Sequence, residues 1–241
     1  EPVASTSNDP AGFSGIDPAA TADIEVLASA EFNLEQLAAL RPDLLVADPS
    51  YIDLVGYDTL SAVAPTVAIG DDDSDWRERL QLTADVFDLG EVAGERIDAI
   101  EADMEAARSA LDGVTMSALS VSPGPFIRAY TDDRTILTEL MVDELGIELV
   151  PGPGTDGTDD NGRIELSLEQ LGVLQGDVIV LLQATIVEGQ DAAVATVVAS
   201  PLWSTLPAVR ADRVVTLDQL AYPGASGAAA FATDLAEAAT P

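Results

Sequence analysis

The chain has 241 residues, 47% of them apolar, enough for one large domain or two lobes with ordinary cores. Asp and Glu number 43 against 10 basic residues, all arginine, and the formal charge of −33 argues against nucleic acid and anionic membrane surfaces as partners. Histidine, cysteine and lysine are absent, which excludes disulfides, thiolate and imidazole metal sites, cysteine nucleophiles, Schiff-base lysines and P-loop lysines.

The opening stretch EPVASTSNDPAGFSG has neither the basic region nor the apolar core of a signal peptide, and residues 1–30 read as loop except for IEVLA at 24–28, a short strand. NLEQLAALRPDLLVA follows at 33–47. Asn33 is a good N-cap, Gln36 sits at the capping-box position, and Leu34, Leu37 and Leu40 recur at helical spacing; Pro42 then ends the helix before the apolar run LLVA. YDTLSAVAP at 57–65 predicts another short helix and TVAI at 66–69 a second strand, so this part alternates α and β as a parallel-sheet lobe does.

The acidic run DDDSD at 71–75 reads as a solvated loop. Two helices follow, broken near Gly90, with Trp76 opening the first and read as a core residue. The second aligns Ala93, Ile97, Ile100, Met104, Ala107 and Leu111 on one stripe; residues 91–111 as one helix would span about 32 Å. TMSALSV and FIRAY predict strands, TILTELMVDELG an amphipathic helix, and a Pro/Gly/Asp-rich loop leads to SLEQLGVLQGDVIVL at 167–181. The segment TDGTDDNG at 155–162 has calcium-loop residue types but neither the EF-hand register nor its terminal Glu.

The stretch at 167–181 repeats the one at 33–47 at seven of fifteen places, with Ser167 for Asn33 and Gly176 for Pro42. Each copy predicts a capped helix, a tight turn and a buried strand, with Glu35 and Glu169 at the second helical position and free to face outward. DAAVATVVAS and PLWSTLPAV predict helical pieces, RVVTL a strand, and ASGAAAFATDLAEAA a terminal helix.

The stretches FNLEQLAALRPDLLVA, YDTLSAVAPTVAIG, DWRERLQLTADVFDLGE, SLEQLGVLQGDVIVL and SPLWSTLPAVRADRVVTL resemble the extracytoplasmic substrate-binding proteins of iron(III)-siderophore and cobalamin ABC importers. The resemblance covers about residues 30–240. It implies an α/β fold of the class III periplasmic binding type: two Rossmann-like lobes with parallel sheets joined by one long helix. The expected division is residues 1–90 for the amino-terminal lobe, 91–112 for the helix and 113–241 for the carboxy-terminal lobe. Members of the family carry a further strand and loop before this point, and the stretch before Asn33 is short and loop-like, so either that lobe is reduced or the sequence is trimmed there.

The same resemblance implies no enzyme activity and no intrinsic cofactor. The protein is expected to be a monomer, periplasmic or lipid-anchored to the outer face of the cytoplasmic membrane, that delivers a metal chelate to an ABC permease. Carried over residue by residue, Glu35 and Glu169 become the permease-docking carboxylates. A carboxylate in the first helical turn is also what the helix dipole favours unaided. Ligand candidates are Tyr51, Tyr57, Arg128, Tyr130, Trp203 and Tyr222; for Arg128 a surface ion pair with Asp132 or Asp133 is the alternative, and for Trp203 a structural role. With so few cations, a neutral or weakly cationic ferric hydroxamate suits this chain better than a triply anionic catecholate. Haem, cobalamin, a scaffold without ligand, and a metallochaperone-like enzyme stand as alternatives.

Overall fold

The computed structural model describes residues 2–7, 12–28, 32–71, 74–124, 126–184, 187–222 and 224–240. The chain divides into two compact units, residues 1–99 and 100–241.

In the first unit β1 (Ala4–Ser7) pairs in parallel with β2 (Glu25–Ala28). The sequence reads as loop at β1 because ASTS offers little to bury; the strand exists through backbone pairing with β2. Asn33 starts α1 (Leu34–Leu40), its side chain accepting the backbone N–H of Glu35 at 2.8 Å and of Gln36 at 3.3 Å. The Gln36 amide does not close the predicted capping box; it donates to the Glu25 carboxylate at 2.9 Å. Helix α1 ends at Arg41 in the left-handed region, ahead of Pro42. Next come β3 (Leu45–Ala47), α2 (Pro49–Val55), α3 (Tyr57–Ser61) and β4 (Thr66–Ala68), with β3 and β4 parallel. Helix α2 carries a readable signal, Asp48 capping Ser50 with Pro49 in the first turn. Leu27, Leu37, Ala47 and Leu60 form the core, with Leu34 and Leu40 partly buried against it.

Helix α4 (Trp76–Val86) follows. Trp76 is half-buried with the Arg77 guanidinium 4.3 Å over its ring, which corrects the expectation of a core position. Helix α5 (Gly90–Ala110) has 21 residues, about 32 Å at 1.5 Å per residue. Of the predicted stripe, Ala93, Ile100, Met104, Ala107 and Leu111 are buried and Ile97 is half-buried. The division between the units falls inside this helix.

The second unit is built on a mixed sheet in the order β10-β9-β5-β6-β8: β5 (Thr115–Ser122), β6 (Phe126–Tyr130), β8 (Arg163–Leu166), β9 (Val178–Gln183) and β10 (Val214–Asp218). The short β7 (Glu148–Leu149) pairs with β5 in parallel. Strands β5, β9 and β10 are parallel; β6 is antiparallel to both β5 and β8. Helix α6 (Ile136–Glu139) widens into a π turn at Leu140–Glu144. Further on lie α7 (Gln190–Val198), a 3-10 turn at Trp203–Thr205, α8 (Pro207–Arg210) and α9 (Gly224–Ala239). One sheet face packs Leu119, Val121, Ile127, Ala129, Ile179 and Leu181 against Leu171, Leu174, Val197 and Trp203.

The second copy of the repeat is a 3-10 helix, Leu168–Val173, where the spacing predicts an α-helix. Gly172 replaces Ala38 of the first copy, and glycine costs about 1 kcal/mol in an α-helix relative to alanine. Here the capping box does close, the Ser167 N–H donating to Gln170 Oε1 at 2.9 Å. Gly176 does more than end a helix. A Cβ there would lie 2.5 Å from the Ser117 backbone nitrogen and 2.6 Å from the Met116 carbonyl carbon, so only glycine lets this turn meet β5.

Candidate functional site

Strand β6, FIRAY, alternates its side chains across the sheet. Ile127 and Ala129 enter the core beneath, and Phe126, Arg128 and Tyr130 take the other face. On that face the Arg128 guanidinium rests over the Phe126 ring, 4.2 Å from its centroid. Arg128 is half-buried and makes no ion pair or hydrogen bond through its side chain among the described residues. The alternative pairing with Asp132 is not formed, since Asp132 holds Arg134 at 3.3 Å. Five N–H donors are thus held by an aromatic face with no acceptor taken up among the described residues.

Topology puts this platform at a defined edge. Ser122, the end of β5, pairs with Phe126, and Leu166, the end of β8, pairs with Ile127. Phe126 and the turn after β8 therefore both lie at the carboxyl ends of the parallel strands, where α/β sheets bind ligands. Glu169 follows in that turn.

The other ligand candidates differ widely in exposure. Tyr130 is 7% exposed, and Trp203, at 4%, belongs to the core packed on the opposite sheet face. Both have little surface left for a guest. Tyr222 stacks edge-on against Phe231 with centroids 5.2 Å apart and donates its hydroxyl to Asp234 Oδ2 at 2.9 Å. Burial, then the Asp234 bond and the Asp234 and Asp218 charges, push its phenol well above the ordinary range. It lines an open depression of about 560 Å³ together with Asp218, Asp234 and Glu237. In the first unit Tyr51, on α2, stacks edge-on with Phe32 at 5.5 Å. Tyr57, at the start of α3, is 48% exposed and donates to the Thr66 carbonyl at 3.0 Å. Neighbouring Asp48 receives Arg79 at 2.6 Å, and Arg79 also donates to the Ser74 carbonyl at 2.9 Å and the Asp71 carbonyl at 2.8 Å, so one arginine organises the loops after β3 and β4.

Glu35 and Glu169 are both exposed, and neither makes an ion pair with a described residue. They differ in detail. Asn33 takes the first-turn N–H groups of α1, whereas the Glu169 carboxylate is held below the usual range by its own backbone N–H and by the Ser167 hydroxyl.

Sequence reasoning missed β8 and its two charged residues. Arg163 and Glu165 stand opposite Tyr130 and Arg128 on the same sheet face. Arg163 is spoken for: its guanidinium reaches Asp159 Oδ2 at 3.2 Å, and although desolvation pushes the Asp159 carboxyl up, the backbone N–H groups of Arg163 and Asn161 and the guanidinium hold it below the usual range. Asp159, in the loop with calcium-type residues, therefore spends its oxygens within the chain. Among the described residues no three carboxylates converge as a metal site. Arg-Ile-Glu-Leu does alternate with period two, but four residues are too few for that alternation to stand out.

Two α/β units with a 21-residue helix running through their division define the class III periplasmic binding protein fold. The chain belongs to the periplasmic binding protein family, whose model matches residues 3–221. Among solved structures, the siderophore periplasmic binding protein from the fuscachelin gene cluster of Thermobifida fusca superposes with a TM-score of 0.73 at 21% identity, over 99% of this chain and 89% of that one. The Fe3+-Desferal-bound FhuD of Vibrio cholerae follows with a TM-score of 0.72 at 20% identity, over 99% and 90%. At these identities the likeness is one of fold. The ferric enterobactin-binding periplasmic protein FepB of Escherichia coli O6:H1 is 27% identical over 199 residues, 78% of this chain and 60% of FepB. The chain spans 60% of the length of the curated relatives it matches. Among the described residues no helix is long and apolar enough to cross a membrane.

Proposed function

We propose that this protein captures a ferric siderophore outside the cytoplasmic membrane and delivers it to an ABC importer, catalysing no reaction itself. Residues 1–90 and 113–241 serve as the two lobes and 91–112 as the helix between them in sequence. Family membership supports the capture role. The observation that carries the ligand assignment is Arg128 on Phe126: in a chain with 43 carboxylates, a half-buried guanidinium without a carboxylate partner among the described residues offers prepared N–H donors to chelate oxygens. Exposed Glu35 and Glu169 supply carboxylates for arginines of the permease.

A ferric hydroxamate fits best, because a triply anionic chelate needs several converging cations and here one is open while Arg163 and Arg134 are paired with Asp159 and Asp132. The likeness to FepB favours a second reading, a ferric catecholate. Intrinsic fluorescence titration against ferric hydroxamates, ferric catecholates, haem and cobalamin decides between them. Saturable quenching by hydroxamates is the expected result. Quenching by catecholates alone establishes the second reading, and a folded protein that responds to none overturns both.

A further inference from the structure

Arg128 and Glu165 are directly opposed across β6 and β8, on the sheet face away from the Leu119–Ile179 core. An arginine and a carboxylate so placed ordinarily pair. Three arginines elsewhere in the chain do pair with a nearby carboxylate: Arg79 with Asp48 at 2.6 Å, Arg163 with Asp159 at 3.2 Å and Arg108 with Glu105 at 3.2 Å. Arg128 lies on Phe126 instead, and exposed Glu165 has no side-chain partner among the described residues. Two opposite charges thus stand side by side, each with its hydrogen-bonding capacity open.

The geometry points to Glu165 as a specificity-determining residue that receives a protonated amine of the guest while Arg128 receives its chelate oxygens. The cargo is then a ferric hydroxamate carrying a primary ammonium arm. This rests on the reading of Arg128 as a cargo contact. It adds to that reading the sign and position of a second charge on the guest. The net charge of −33 attracts any cation at long range, so the test has to separate one carboxylate from the bulk field.

The probes are ferrioxamine B, which has a free ammonium, and its N-acetylated form, titrated by fluorescence into the wild type, Glu165→Gln and the control Glu148→Gln. Glu148 is an exposed carboxylate on β7, so both variants change net charge equally. Glu165→Gln is expected to weaken ferrioxamine B about five-fold, the scale of one solvent-accessible ion pair, and to leave the acetylated probe unaffected. Glu148→Gln leaves both probes unaffected. Equal losses in the two variants, or no loss in Glu165→Gln, overturn the assignment of Glu165 while the capture of hydroxamates stands. Failure of the wild type to bind either probe overturns the assignment of Glu165 and the ammonium-bearing cargo, and the titration with other ferric hydroxamates then decides whether the hydroxamate reading stands.

Discussion

Replacing Arg128 with Gln separates ligand binding from folding. The side chain gives up a stack on Phe126 at 4.2 Å and no described hydrogen bond, so the loss in stability is that of a half-exposed cation–π contact, about 0.5–1 kcal/mol. A hydrogen bond to a charged group is worth about 1.5–3 kcal/mol, so affinity for the ferric hydroxamate should fall about 10- to 150-fold. Arg79 is the contrast, since its guanidinium holds Asp48, Ser74 and Asp71 together and Arg79→Gln should destabilise more than Arg128→Gln. Exposed Arg210→Gln controls for the change in net charge. Fluorescence titration gives affinity and urea unfolding gives stability. An Arg128→Gln protein that binds within two-fold of wild type (about 0.4 kcal/mol), or that loses more than about 2 kcal/mol of stability, refutes the view of Arg128 as a free, ligand-directed cation.

Charge reversal at Glu35 or Glu169 should abolish stimulation of the cognate importer's ATPase while ligand affinity is kept, as exposed positions without an ion pair allow; undiminished stimulation removes the docking assignment. Tyr222 has its folded pKa raised above an unfolded value of about 10, so its contribution to stability is fully present below pH ~10 and is lost as pH rises through the folded value. Ultraviolet titration should accordingly show a late-ionising component that is lost in Tyr222→Phe, and a titration curve whose late end is unchanged by Tyr222→Phe contradicts this. Gly176→Ala forces a methyl group to within 2.5 Å of β5 backbone and should cost about 1–3 kcal/mol in urea unfolding. Gly172→Ala, with nothing within 4 Å, should be neutral or stabilising; equal stability of the two variants counts against the close-packing account.

Features governed by neighbours a few residues away were legible in the sequence. The α5 stripe, the Asn33 and Ser167 caps, the inward leucines of both repeat copies and the outward Glu35 and Glu169 follow from spacings of three and four, which a helix satisfies within itself. Strands β5, β6, β9 and β10 stood out as apolar runs. Strand β8 did not, because four residues with two apolar positions, set after a loop rich in Asp and Gly, carry too little local signal.

What each side chain can do for a guest was decided by the tertiary structure alone. Arg128 is open because Phe126 supports it and Asp132 is taken by Arg134; Glu165 is its neighbour only through the β6–β8 register; Tyr222 is occupied because α9 returns Asp234 to it. A strand's partners are chosen across tens of residues of chain, and no period within the strand names them. Local spacing therefore determined which elements form, while pairing between distant segments determined which of their charges stay free to bind.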